Sequence, residues 1–226
     1  MNEAFWQTLI LTFQLAAITT LILLVIGIPL AYFLSTSKSK FKPILEAFIS
    51  MPLVLPPTVL GFYLLVTLSP ESWIGAWLLE TFNLRLVFSF TGLVLGSIIY
   101  SLPFMVHPIQ AGLQHLPASY SEAAYTLGKS KWATLWHVLL PNIKPALLTG
   151  VVLSFAHTVG EFGVVLMIGG NIPGETKVAS IAIYDEVEGL NYAVANQYAF
   201  ILFIFSFFVL LMVYIINGRS VQVNDF

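Results

Sequence analysis

Charged residues are sparse along this chain, and the stretches between them are long and apolar. A helix needs about 20 apolar residues to cross the hydrocarbon core of a bilayer. We therefore predict five membrane-spanning helices, the fourth of which is interrupted by Glu161. The stretches without Asp, Glu, Lys or Arg are residues 4–37, 47–70, 86–121, 145–160 and 189–218. The predicted spans cover about residues 6–34, 46–69, 87–109, 145–168 and 195–217.

The composition supports a membrane protein rather than a soluble domain. Hydrophobic residues make up 58% of the 226 residues, charged residues make up 9%, and the mean hydropathy is +0.90. Soluble domains carry about 25% charged residues, so lipid must solvate part of this chain. The apolar runs are continuous, whereas the strands of a membrane β-barrel alternate in hydrophobicity. The predicted fold class is therefore an all-α membrane bundle, in one domain over residues 1–226.

The positions of Lys and Arg predict an orientation in the membrane. Cytoplasmic loops carry the excess of these residues. Seven of them follow the first, third and fifth spans, and two follow the second and fourth. The N-terminus is therefore predicted outside and the C-terminus inside. The seven are Lys38, Lys40, Lys42, Lys129, Lys131, Lys144 and Arg219, and the two are Arg85 and Lys177.

The loop between the third and fourth spans, about residues 114–144, has a helical pattern of its own. Ser119 and Glu122 have the spacing of a capping box. Apolar residues then recur at helical spacing until Gly128, which is where a helix is expected to end. The stripe consists of Tyr120, Ala123, Ala124 and Leu127.

A second short helix is predicted in the same loop. Ser130 is placed to cap it, and Pro141 and Pro145 are expected to end it. Such a helix pair either lies on the lipid surface or docks a soluble partner. Its polar face has few cations, which favours the partner. The apolar stripe consists of Trp132, Leu135, Trp136 and Leu139.

Residues 122–141 read EAAYTLGKSKWATLWHVLLP. This segment resembles the signature loop of permease subunits from binding-protein-dependent ABC importers: EAA, three residues, Gly, nine residues, Ile, one residue, Leu-Pro. Val138 stands in place of the Ile. The resemblance implies a type I importer transmembrane domain whose loop docks in a cleft of a cytoplasmic ATPase subunit. The implied coupling residues are Glu122, Ala123, Ala124, Gly128, Leu140 and Pro141.

Two further segments narrow the resemblance to the oxyanion branch of that family. Residues 51–65 and 160–184 are similar to permease subunits of molybdate and sulfate importers, and the short chain is most similar to the molybdate subunit. This resemblance implies import of molybdate across a bacterial inner membrane, after delivery by an extracytoplasmic oxyanion-binding protein. Sulfate and tungstate remain as alternatives.

The implied assembly is a homodimer with two copies of the ATPase, because five helices are too few to enclose a pathway for a tetrahedral anion. ATP and Mg²⁺ would bind the partner, so no cofactor and no catalytic activity are expected on this chain. A secondary transporter would show repeated halves, and a membrane enzyme would show clustered catalytic groups. Neither pattern is present. The histidines lack metal-ligand spacing, and the net charge of −2 gives no indication of nucleic-acid binding.

Two places within the spans are candidates for the pathway or its gate. Pro56 and Pro57 must bend or break the second span, which indicates either a kinked packing helix or a flexible pathway helix. Glu161 is costly in a membrane, and His157 lies four residues earlier, where a helix would place both on one face. They are therefore predicted to pair, either as a packing contact or near an outer gate. Members of the resembling branch often carry Arg in place of His157.

An acidic cluster precedes the last span, on the side predicted to face outward. It is either a solvated surface or a docking surface for the binding protein. Its members are Asp185, Glu186 and Glu188.

Overall fold

The computed structural model describes the backbone of residues 3–221 and the side chains of residues 3–215. Within this part, all regular structure is helical. A π-helical turn at Leu135–Leu139 separates α7 from α8. The helices are α1 Glu3–Thr36, α2 Lys42–Val54, α3 Pro57–Leu68, α4 Trp73–Phe82, α5 Phe90–His115, α6 Ser119–Thr126, α7 Lys131–Thr134, α8 Leu140–Asn142, α9 Lys144–Gly160, α10 Gly163–Gly169, α11 Ala179–Glu188 and α12 Tyr192–Val221.

Three helices of the described part are long and apolar enough to cross a bilayer alone, namely α1, α5 and α12. Two further spans each require a pair of helices that is sharply bent at a short break. The α2–α3 pair is bent by 112°, and residues 131–142 are bent by 85° from α9. The predicted number of five spans therefore holds when each bent pair counts as one.

The second predicted span is divided between α2 and α3, so residues 46–69 do not form one helix. Leu55 and Pro56 are extended, with ψ angles of 135° and 134°. Pro57 then occupies the first position of α3, where a missing N–H leaves no hydrogen bond unmade. The predicted break at the prolines is confirmed.

The fourth predicted span, residues 145–168, is also divided. α9 ends at Gly160, and the backbone at Glu161 is extended, with φ −68° and ψ 135°. α10 begins two residues later at Gly163. Glu161 therefore lies in a short non-helical segment between two helices.

The core of the bundle is formed by α1, α5 and α9. Leu23, Met105 and Ile109 are fully buried in it. Close approach depends on small residues, because a Cβ on Gly27 would lie 2.7 Å from Met105 Cγ, and one on Gly150 would lie 3.0 Å from the Met105 carbonyl oxygen. Dense packing at these glycines fixes the three helices against one another.

The last helix, α12, presents most of its apolar surface outward. Near its start, Tyr198 is buried and packs against Phe5 with ring centroids 4.3 Å apart. Further along, four phenylalanines are each more than half exposed, which is stable only against lipid or another protein. The side chain of Arg219, which contributed to the predicted orientation, lies outside the described residues. The four are Phe200, Phe203, Phe207 and Phe208.

The predicted capping box at Ser119, in the loop after α5, is wrong. α6 begins at Ser119, so this residue is already helical, and no side chain caps the helix. The reason is that the backbone turns earlier. The carbonyl of Pro117 accepts a hydrogen bond from the Tyr120 amide, and that of Ala118 accepts one from the Glu122 amide.

The predicted cap at Ser130 is confirmed, since its hydroxyl accepts a hydrogen bond from the Ala133 amide at 3.2 Å. The predicted end of this helix at Pro141 and Pro145 is confirmed, because the helical run that starts at Lys131 ends at Asn142, between the two prolines. Ile143 is not helical, and residues 131–142 are bent by 85° from α9. Pro145 lies in the first turn of α9.

Candidate coupling segment and pathway site

A shallow apolar groove runs along α6, the helix predicted to dock a partner. Its volume is about 440 Å³. Ala123 is exposed, whereas Ala124 is only 4% exposed and lies at the bottom of the groove. A larger side chain at Ala124 would therefore collide with the chain itself as well as fill the groove. The lining residues are Ser119, Tyr120, Ala123, Ala124, Leu127 and Val138.

Gly128 ends α6 in a left-handed conformation, with φ +75°. The Gly128 amide donates to the Tyr125 carbonyl at 2.9 Å, and the Lys129 amide donates to the Ala124 carbonyl at 3.0 Å. This pair of bonds is the Schellman arrangement, which satisfies the last carbonyls of a helix. Glycine is favoured because a Cβ makes this conformation costly.

Leu140 and Trp132 are two of the residues that join the segment to the bundle. Leu140 is 6% exposed and packs in the same core cluster as Leu135 and Met105. The Trp132 ring lies 6.3 Å from that of Tyr32, near the end of α1. Of the six implied coupling residues, Ala124 and Leu140 are buried. The exposed four are Glu122, Ala123, Gly128 and Pro141.

The two helix breaks lie against each other, although they are about a hundred residues apart in sequence. A Cβ on Gly163 would lie 2.6 Å from Pro57 Cβ, so the start of α10 touches the start of α3. An open cavity of about 440 Å³ lies at this contact. It brings together three of the four predicted pathway residues, Pro57, His157 and Glu161, while Pro56 is not among its lining residues.

The predicted pairing of His157 with Glu161 is wrong. Because α9 ends at Gly160, Glu161 leaves the helical face on which a partner four residues earlier would lie. Glu161 is 4% exposed, and neither carboxyl oxygen has a hydrogen-bond partner among the described residues. The Ser97 hydroxyl lies near this carboxyl, but the two make no hydrogen bond of normal geometry.

His157 is held instead by α5, on which sequence reasoning placed no pathway residue. Its Nδ1 atom lies 2.9 Å from Ser101 Oγ. Its ring stacks on Phe104 with centroids 4.0 Å apart and lies 4.8 Å from the Tyr100 ring. Ser101 also bonds to Thr158 Oγ1 at 3.0 Å. No local pattern could have identified these partners, since Ser101 and His157 are 56 residues apart in the sequence.

Two further polar contacts, which the sequence did not predict, join α2 to α5. The Gln110 side chain donates to Glu46 Oε1 at 2.6 Å, and Ser50 Oγ lies 3.1 Å from His107 Nε2. The members on α2 are four residues apart, and those on α5 are three apart, so each pair lies on one helical face. These two contacts fix how α2 lies on α5 before the chain turns at Pro56.

Two members of the acidic cluster at the end of α11 bind other side chains of this chain. Asp185 Oδ2 accepts from Lys177 Nζ at 2.5 Å and from Asn171 Nδ2 at 2.6 Å. The Tyr184 hydroxyl donates to Glu188 at 2.6 Å, and this bond holds the pKa of Tyr184 above its ordinary value. Both alternatives for the cluster, solvated surface or docking surface, remain predictions.

Residues 24–222 match the family model for the inner membrane component of binding-protein-dependent transport systems. The chain belongs to this family. It is therefore an inner-membrane transport component, which confirms the family inferred from residues 122–141.

Permeases for two oxyanions are among its relatives. The molybdenum transport system permease protein ModB of Azotobacter vinelandii is 47% identical over 205 residues, which is 90% of each chain. ModB of Escherichia coli K12 is 34% identical, over 81% of this chain and 80% of that one. The sulfate transport system permease protein CysT of the same strain is 32% identical, over 86% of this chain and 70% of that one. The predicted similarity to the oxyanion branch is confirmed.

Solved structures show the same fold at low sequence identity. A bacterial ABC transporter that imports the acidic polysaccharide alginate aligns with a TM-score of 0.76 and 18% identity, over all of this chain and 82% of that one. The MetNI methionine ABC transporter aligns with a TM-score of 0.71 and 17% identity, over 96% of this chain and 99% of that one. The fold is that of an ABC importer membrane domain, as predicted.

Proposed function

We propose that this chain is the permease subunit of an ATP-driven molybdate importer and forms the pathway through which the oxyanion crosses the inner membrane. The observation that supports molybdate as the substrate is the 47% identity to a ModB permease over 90% of both chains. An extracytoplasmic binding protein would deliver the anion. ATP and Mg²⁺ would bind a separate ATPase subunit, with no cofactor and no catalysis on this chain.

The ATPase would dock on the α6 groove, on the cytoplasmic side of the membrane. The apolar lining of the groove suits a partner, and Leu127, which is part of this lining, is 79% exposed. Leu140 and Trp132 would transmit movement of the docked segment to α9 and α1, because both residues pack on the bundle. The four exposed coupling residues would contact the partner, and the two buried ones would hold the segment in place.

Docking is testable by cross-linking because the chain has no cysteine of its own. A cysteine at Leu127 should form a disulfide with suitably placed cysteines on the ATPase in the assembled complex. Trp73 is 84% exposed and begins α4, between the second and third spans, which is predicted to lie on the opposite side of the membrane, so Trp73→Cys is the matched control. Equal cross-linking of both variants, or of neither, would contradict this docking surface and the orientation.

Two copies of the chain would make one pathway. The cavity at the helix breaks is open on one side, and apolar side chains along α2 are exposed, including Phe48 at 64% and Val54 at 84%. A second copy would cover such surfaces across a twofold axis. Native mass spectrometry of the complex should show two 25.0 kDa permease chains and two ATPases. A single permease chain per pair of ATPases would contradict the homodimer.

The substrate is tested by competition in proteoliposomes that contain the complex and its binding protein. Uptake of radioactive molybdate should be suppressed by excess unlabelled molybdate or tungstate and much less by sulfate. Strong uptake of sulfate with none of molybdate would assign the chain to the sulfate permeases instead.

A further inference from the structure

The hydrogen bonds around His157 determine which of its ring nitrogens carries a proton. The Thr158 hydroxyl donates to the Ser154 carbonyl at 2.9 Å. A hydroxyl has one hydrogen to donate, so the 3.0 Å bond between Thr158 and Ser101 must be donated by Ser101. The hydrogen of Ser101 is then used as well. The remaining bond, between Ser101 Oγ and His157 Nδ1, must therefore be donated by Nδ1.

This relay makes Nε2 the atom at which His157 gains or loses charge. In a neutral imidazole one nitrogen donates and the other accepts. With Nδ1–H bound to Ser101, Nε2 is an acceptor in the neutral ring and becomes a donor only in the imidazolium. An oxyanion such as molybdate offers acceptor atoms alone, so the neutral ring cannot bind it through Nε2. The imidazolium offers both a donor and a positive charge.

The surroundings supply no fixed positive charge that could replace this proton. Among the described residues that line the cavity, none is Lys or Arg. The titratable side chains that line the cavity together with His157 are Tyr100 on α5, whose ring lies 4.8 Å from that of His157, and Glu161 after α9. From α3 the cavity receives Pro57 and Thr58, which carry no charge.

We propose that His157 forms an oxyanion subsite in the cavity between the helix breaks and that it binds the anion only after Nε2 has taken up a proton from water in the pathway. This inference rests on the proposed function of the chain as an oxyanion permease. The protonated ring attracts the anion, and loss of the proton returns the subsite to an acceptor that releases it. Transport through this chain is then favoured by acid, because the active form of the subsite is the protonated one.

The test measures ATP-driven uptake of radioactive molybdate from pH 8 to pH 6 in proteoliposomes containing permease, ATPase and binding protein, divided by the ATP hydrolysis rate. While the ring is mostly neutral, uptake by the unaltered complex should rise as pH falls, by up to about tenfold per pH unit. His157→Arg, which has a fixed charge, should remove this slope. Glu161→Gln should keep it, because the titrating group is His157.

Ser101→Ala separates a transport role of His157 from a packing role. Without Ser101, the proton of the neutral ring is free to occupy Nε2 and offer a donor, so the pH slope should become shallower. A pH-independent uptake by the unaltered complex would overturn the subsite, as would a full slope in His157→Arg or its loss in Glu161→Gln. Absence of molybdate uptake at every pH would instead contradict the proposed function.

Discussion

Replacement of Gly128 separates backbone strain from steric contact in the proposed coupling segment. A Cβ at this position meets no atom within 4 Å, so a side chain adds no clash within the chain. The φ angle of +75° lies in the left-handed region, which costs a residue with a Cβ about 1–2 kcal/mol. Asparagine tolerates this region, whereas a β-branched residue is a severe outlier there.

The expected order of ATPase affinity is therefore Gly128 and Gly128→Asn highest, Gly128→Ala intermediate and Gly128→Val lowest. A side chain shifts the free loop toward other turns, and docking must restore the left-handed one. A cost of about 1–2 kcal/mol corresponds to an affinity lower by a factor of about 5–30. Gly128→Val should lose most ATP-dependent uptake at limiting ATPase concentration.

The assay measures binding of purified ATPase subunit to the permease in detergent and uptake in proteoliposomes. The amount of permease extracted from the membrane serves as the control for insertion, which should not change. Equal affinity of the Asn and Val variants would refute the role of the left-handed turn. Normal affinity and uptake in Gly128→Val would show that this loop is not the coupling element.

Two further predictions concern the packing of the spans. Gly163→Ala should destabilise the chain by about 1–3 kcal/mol, because the new Cβ would lie 2.6 Å from that of Pro57. Gly160→Ala is the control, because a Cβ on Gly160 would meet no atom within 4 Å. Equal shifts of the thermal unfolding midpoint in the two variants would contradict the contact between Gly163 and Pro57. A double-mutant cycle with Glu46→Ala and Gln110→Ala should give a coupling energy of about 1 kcal/mol in denaturant unfolding, and additive effects would show that their 2.6 Å bond does not stabilise the fold.

The membrane class and much of the loop were predictable because they depend on local signals. Uncharged stretches of sufficient length indicate helices whatever their neighbours. Two prolines in sequence, Pro56 and Pro57, must interrupt a helix since each lacks an amide donor. Gly128 and Ser130 were identified correctly for similar reasons, because a helix end and a cap are decided by the residue at that position.

The errors arose where a distant contact or the backbone path decided the outcome. Helical spacing placed His157 beside Glu161, but the rule holds only while the helix continues, and α9 ends between them. The hydrogen-bond partner of His157 is instead Ser101, which belongs to another helix. Ser119 has the right residue type for a cap, but the turn at Pro117 starts the helix earlier.

The contact between the two helix breaks was also not predictable from the sequence. The segment around Pro57 was predicted to break, but the segment around Gly163 was predicted to belong to a continuous span, and nothing local shows that the two segments meet. The absence of a side chain on Gly163 is the signal that a close approach occurs, but it does not identify the approaching segment. The cavity that unites Pro57, His157 and Glu161 follows from that approach.

The central claim is that this chain forms a molybdate pathway driven by ATP on a partner subunit. It is tested most directly by uptake of radioactive molybdate into proteoliposomes containing the complex, with the binding protein outside and ATP and Mg²⁺ enclosed. Uptake should require enclosed ATP and should persist when proton and sodium gradients are dissipated. Uptake without ATP that is driven by either gradient would contradict the claim and indicate a secondary transporter.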